Sequence, residues 1–152
     1  MYCYFRIILY LCNANKVTNY LILNVMEETI WGEIQTSHQL AVGVIDVTTA
    51  GHGGIIVDKS VADKYLSVEA KKVADFKNGR YHFEEDCDWA IFAFENPSIV
   101  PQQWLQYIEN SLNRWNPDYI ENAKKSGNYE KRLLKLHELM GLPIPLQTEL
   151  FN

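Results

Sequence analysis

Two short stretches hold most of the side chains able to do chemistry. In A-G-H-G-G, residues 50–54, one histidine sits among three glycines. In Y-H-F-E-E-D-C-D-W-A, residues 81–90, four carboxylates surround a single thiol. An imidazole changes charge near neutrality, so His52 is able to ligate a metal, act as a general base or donate to an anion. Its glycine neighbours let backbone approach a ligand closely, and their amides are able to cradle an anion. The second stretch supplies Glu84, Glu85, Asp86, Cys87 and Asp88 as catalytic candidates. A cysteine nucleophile works as its thiolate, and each neighbouring negative charge opposes that form by on the order of 1 kcal/mol at 4 Å even in water. A cation fits the same residues better. By residue type, His52, His82 and Cys87 with one carboxylate make a zinc set, although their spacing follows no standard zinc motif. A plainer reading competes with both. There GHGG is a hairpin turn, Cys87 belongs to the core, and the acids are a solvated cap favoured by a helix dipole.

Whether the two stretches meet depends on the elements that carry them. Leu40 to Thr49 is rich in β-branched residues and reads as a strand, residues 50–54 as a turn, and Ile55 to Val57 as a second short strand, so the pair predicts a hairpin. Trp31 to Gln35 adds a third strand. Ser60 reads as an N-cap for a short helix over SVADKYL. Residues 68–77 form a second helix or an irregular loop, closed by the Asn78-Gly79 turn. EEDCDWAIFAFE reads as a helix, because Cys87, Ala90, Ile91 and Phe94 then share one face. A buried strand over Trp89 to Phe94 is the alternative.

The last third is helical throughout. Trp104, Leu105, Ile108 and Leu112 recur at helical spacing between Pro101 and Arg114, and Asn116-Pro117 breaks that helix and starts the next. Leu133, Leu136 and Met140 stripe a last helix over Tyr129 to Met140, ended by Gly141 and Pro143. Trp89 and Trp104 read as core, and Trp31 and Trp115 as core or partner-facing. His137, near a helix end, reads as stabilising that end, and His38 lies in polar surroundings. The order predicts an α+β fold, with a small antiparallel sheet or hairpin in the N-terminal half and a mainly helical C-terminal half.

With 152 residues, 47% hydrophobic and 22% charged, the chain is ordinary globular material able to bury a core without staples. Residues 26–152 read as a single domain. Residues 1–25 read as an apolar extension, too broken by polar residues for the ~20-residue run that spans a bilayer. Met26-Glu27-Glu28 looks like a genuine beginning, which makes the extension upstream sequence from a misplaced start. The alternatives are a segment packed on the domain or a weak membrane association. No stable membrane insertion is expected. The formal charge is −5, and all 19 acids lie from Met26 onward. An acidic body argues against broad nucleic-acid binding and is compatible with a basic protein partner. Three scattered cysteines without a C-x-x-C pair make neither a disulfide framework nor a zinc ribbon, and point to the reducing cytoplasm.

Taken together, WGEIQ, VIDVTTAGHGGIIVD and YHFEEDCDWAIFAF resemble an uncharacterised domain family of phages, plasmids and integrative elements. The resemblance rests on a T-x-G-H-G-G-I motif followed by E-E-D-C-D-W-A, with Phe83 where the family has tyrosine. It runs from about Trp31 to Phe94. It implies an accessory protein of a bacterial mobile element acting in the cytoplasm against a host-defence component, and the acidic body and aromatic content point to action by binding a protein partner. It supplies no activity. The alternative is a small metal-assisted, hydrolase-like enzyme that uses His52 with the Glu84–Asp88 cluster and takes zinc.

Overall fold

The computed structural model describes residues 28–143, so the expectations for residues 1–25 and for a start at Met26 lie outside the described residues. The described chain opens with a two-stranded ribbon, β1 (Glu28–Thr29) with β2 (Gly32–Glu33), which is what the predicted strand over Trp31 to Gln35 becomes. The main sheet follows, with β3 (Thr36–Ala41), β4 (Val44–Thr48) and β5 (Gly53–Asp58). Two short helices come next, α1 (Lys59–Tyr65) and α2 (Val68–Val73), and then the hairpin β6 (Asp75–Lys77) and β7 (Arg80–Glu84). The helical half consists of α3 (Trp89–Glu95), a 3-10 turn (Gln102–Trp104), α4 (Leu105–Trp115), α5 (Pro117–Lys125) and α6 (Tyr129–Met140). The fold is α+β, with its five-stranded sheet antiparallel throughout in the order β3-β4-β5-β7-β6. Among the described residues, no helix is long and apolar enough to cross a membrane.

Glycine explains where the strands depart from the sequence expectation. The run Leu40 to Thr49 is not one strand but two, because Gly43 takes φ 73° and folds Ala41 back opposite Val44. Positive φ is nearly free for glycine and strained for the β-branched residues around it. Gly53 and Gly54 belong to β5 rather than to the turn. A side chain at Gly53 would meet the Val47 carbonyl at 2.5 Å, and one at Gly54 the Phe83 carbonyl at 2.1 Å. These two glycines therefore let β4, β5 and β7 approach closely. Strand β7 has no counterpart in the sequence reading; the Asn78-Gly79 turn (φ 53° and 75°) folds it onto β6 and feeds it in beside β5. Helix α1 starts at Lys59 after Asp58, one residue before the predicted Ser60 cap. In α2 the Ser67 hydroxyl accepts from the Ala70 amide as its cap.

One face of the sheet, with Val44, Ile55, Val57 and Phe83, packs against the helices. The opposite face carries a small cluster of Ile45, Val47 and Ile56 beneath Trp31 and Ile34. Helix α3 lies at the centre: every residue from Ala90 to Phe94 is at most 1% exposed. It is apolar all round because it is surrounded, which is why its short run has no amphipathic period. The acids do not form its first turn, since it begins only at Trp89. Phe83 and Phe92 stack at 5.9 Å between centroids, and Phe94 meets Tyr119 and Tyr129. At the end of α3 the Glu95 side chain is wholly buried. It accepts from the Ser67 amide (2.8 Å), the Ser67 hydroxyl and the Tyr119 hydroxyl (2.9 Å), and pairs with Arg132 at 3.1 Å. This one carboxylate joins the cap of α2 to α5 and α6.

Candidate metal centre

His52 is set by the turn between β4 and β5. Thr49, only 9% exposed, donates its hydroxyl to the His52 carbonyl at 2.7 Å and accepts from the His52 amide at 3.2 Å. The Thr49 amide also bonds the same carbonyl at 2.8 Å. The backbone is thus pinned while the imidazole stays in solvent, with 60% of its side-chain surface open. Across the sheet, β5 and β7 are registered with Gly54 opposite Glu84, and the Glu85 amide donates to the Gly53 carbonyl at 3.0 Å. The missing side chain of Gly53 leaves the space that the Glu85 carboxylate occupies. The two sequence stretches are therefore brought face to face.

The His52 Nδ1 lies 3.2 Å from Glu84 Oε1. One ligand atom from each of His52, Glu84 and Glu85 lies within 4.8 Å of the other two. Two donors held ~2.1 Å from a tetrahedral ion stand about 3.4 Å apart, close to the His52–Glu84 separation of 3.2 Å. Glu84 is oriented from behind, because its Oε2 accepts from the Asp86 amide (2.9 Å) and the Cys87 thiol (3.1 Å). Burial pushes the Glu84 carboxyl up, but these donors and His52 outweigh it and hold the pKa below the ordinary glutamate value. The Cys87 thiol is pushed up to about 12, first by burial and then by its bond to Glu84 and the charges of Asp88 and Glu84. At neutral pH Cys87 is a protonated donor, the opposite of what nucleophilic attack requires.

The other candidates sit elsewhere. Asp86 contributes its backbone amide and exposes its side chain. Asp88 precedes α3 without capping it, and burial raises its pKa. His82 is 5% exposed in the middle of β7, opposite Ile56, with Nδ1 3.2 Å from the Asp75 carbonyl and its ring edge-on to Trp31. Burial lowers its pKa. Neither His82 nor Cys87 joins the converging group. His137 links α6 to Glu109 of α4 at 2.8 Å, and His38 pairs in register with Asp46.

Beside the group opens a cleft of about 440 Å³, lined by Asp46, Ile55, Glu85, Trp89, Trp104 and Tyr107 among others. Glu85 belongs to both the cleft and the converging group. Trp89 and Trp104 are partly buried and meet edge to face, 5.7 Å between centroids at 79°. Tyr107, 57% exposed, stands three residues beyond Trp104. Asp46 was not among the sequence candidates. Burial raises its pKa, His38 opposes this and Glu85 adds to it. The readable signal was a lone acid inside the β-branched run V-I-D-V-T. Tyr107 carried no comparable signal, because an exposed tyrosine on an amphipathic helix is commonplace.

Residues 24–135 match the family model of a domain of unknown function, DUF7007, and the chain belongs to that family. No curated protein and no solved structure matches the chain.

Proposed function

We propose that this member of the family is a small metal-assisted hydrolase, with a divalent cation such as zinc or manganese held by His52, Glu84 and Glu85 at the lip of the cleft. The observation that supports it is the position of Glu85, which belongs at once to the converging donor group and to the cleft wall. Three protein donors would leave a coordination position for water, whose ionisation a bound zinc ion would bring down toward neutral pH. Titration of zinc or manganese into the purified full chain tests the centre. Each of His52→Ala, Glu84→Gln and Glu85→Gln should weaken binding at least tenfold, and undiminished binding in all three would remove the centre. Cation-dependent cleavage of an ester and phosphodiester panel, abolished by chelator, tests the activity. Cation binding without any cleavage would remove the hydrolase.

A second reading has its own observation. Between Tyr65 and Phe76 the surface exposes Tyr65, Val68, Val73 and Phe76, at 53%, 62%, 37% and 52%. Exposed apolar side chains gathered in one segment are typical of partner sites. They support partner binding, and the second reading is an accessory protein of a phage or plasmid that binds a host-defence component. A Val68→Lys, Phe76→Lys variant should fold normally and lose such a partner; retention of the partner would exclude this surface.

A further inference from the structure

We infer that the cleft beside the metal centre selects a ligand with a protonated amine or guanidinium group, seated between the aromatic wall and Asp46. This deepens the hydrolase reading by naming its substrate class, and it rests on that reading only for the chemistry, not for the binding.

Trp89 and Trp104 present two nearly perpendicular ring planes, and Tyr107 adds a third aromatic side chain one helical turn on. Ring faces carry negative potential, so a cleft lined by three aromatic side chains favours a cation over an anion. The same lining includes Asp46 and Glu85 and no lysine or arginine. Asp46 is the more telling of the two. Its carboxyl comes from the middle of β4, with Ile55 opposite on β5, and among the described residues it has no salt-bridge partner. A half-buried carboxylate left without a cation is costly, and its raised pKa records that cost. Across β3, His38 is the one basic group that lowers it. An ammonium or guanidinium group arriving from the cleft supplies the missing charge, while its alkyl stem lies along Ile55 and the indoles. The division of labour is then clear. Glu85 would hold the divalent cation together with His52 and Glu84, which leaves Asp46 for the organic cation.

The test uses the full chain with and without chelator, and butylguanidinium as probe against its neutral isostere butylurea. Butylguanidinium should shift the indole N–H resonances of Trp89 and Trp104 saturably, at least tenfold more tightly than butylurea. Asp46→Asn should remove at least tenfold of that preference, and Trp104→Leu should weaken butylguanidinium while circular dichroism stays native. Equal affinity for the two probes, or a preference untouched in Asp46→Asn, overturns the inference. Should either variant fail to fold, Asp46→Ser, which also removes the charge, and Trp104→Phe carry the same comparison. Because the chelated protein is measured as well, a surviving preference alongside absent metal binding sinks the hydrolase and keeps the cleft. Metal binding with no preference does the reverse.

Discussion

Glu95 and the Glu84–Glu85 pair stand at opposite ends of the same short stretch of chain, and their surroundings differ completely. Glu95 has no exposed side-chain surface and is saturated by four donor groups from Ser67, Tyr119 and Arg132 of its own fold. Glu84 keeps 22% of its side-chain surface open and shares its oxygens with an imidazole that faces solvent. Glu85 is exposed. A buried carboxylate must be satisfied internally, or its desolvation would defeat folding. One at a cleft mouth can leave coordination capacity for something that arrives later. Burial and partner supply, rather than residue type, separate the structural acid from the functional candidates.

The largest effect should come from the buried end. Glu95→Ala strands the Arg132 guanidinium, one of whose nitrogens already lacks a hydrogen-bond partner among the described residues. Breaking a buried pair by removing one member costs about 3–5 kcal/mol. Urea denaturation should show a loss of that size, whereas Glu85→Gln should leave the midpoint nearly unchanged. Equal losses would erase the distinction between the two acids.

Gly54→Ala should act on both sides of the comparison. With φ at 147° and a carbonyl 2.1 Å from the new Cβ, strands β5 and β7 must part. Overpacking of this kind costs about 1–3 kcal/mol. Since that register holds His52 against Glu84, the variant should also lose divalent-cation binding at temperatures where it remains folded. Calorimetry on the folded variant checks this, and unchanged binding would show that register does not set the site.

The smallest effects are those of pH, and they carry opposite signs. The folded pKa of Glu84 is lowered, so its stabilisation is present above the ordinary glutamate range and fades as pH falls through the folded value. Urea midpoints of Glu84→Gln should therefore converge on wild type in acid. The folded pKa of Asp46 is raised, so its ionisation costs stability once pH exceeds the ordinary aspartate value. Asp46→Asn should be the more stable protein at neutral pH and lose that advantage in acid. The same sign for both variants would contradict the environments described for them.

Legibility in the sequence followed how local each signal was. The helical stripes Leu105-Ile108-Leu112 and Leu133-Leu136 are buried as their spacing predicts, because helical periodicity is written within one segment. The β3–β4 turn was hidden because one glycine interrupts an otherwise uniform β-branched run. Strand β7 was hidden because R-Y-H-F-E owes its place to pairing with β5, a contact distant in sequence. The facing of His52 and Glu84 followed from two motifs read together, yet neither stretch contains its cause. That cause is the close approach permitted by Gly53 and Gly54. Asp46 escaped notice because its significance comes from the aromatic wall supplied by α3 and α4.

The borders of the main sheet have a consequence for how copies of the chain behave in crowded solution. An open strand edge is a template on which another chain can add, and continuous, flat edges seed aggregation. On one side β3 is interrupted by a register shift between Gln39 and Ala41, which breaks the even ladder that an incoming strand would need. On the other, β6 is only three residues long and sets the exposed Phe76 between Asp75 and Lys77. Both borders are blunted against edge-to-edge growth. The sheet can thus hold an exposed aromatic on its rim and still be a poor nucleus for fibrils.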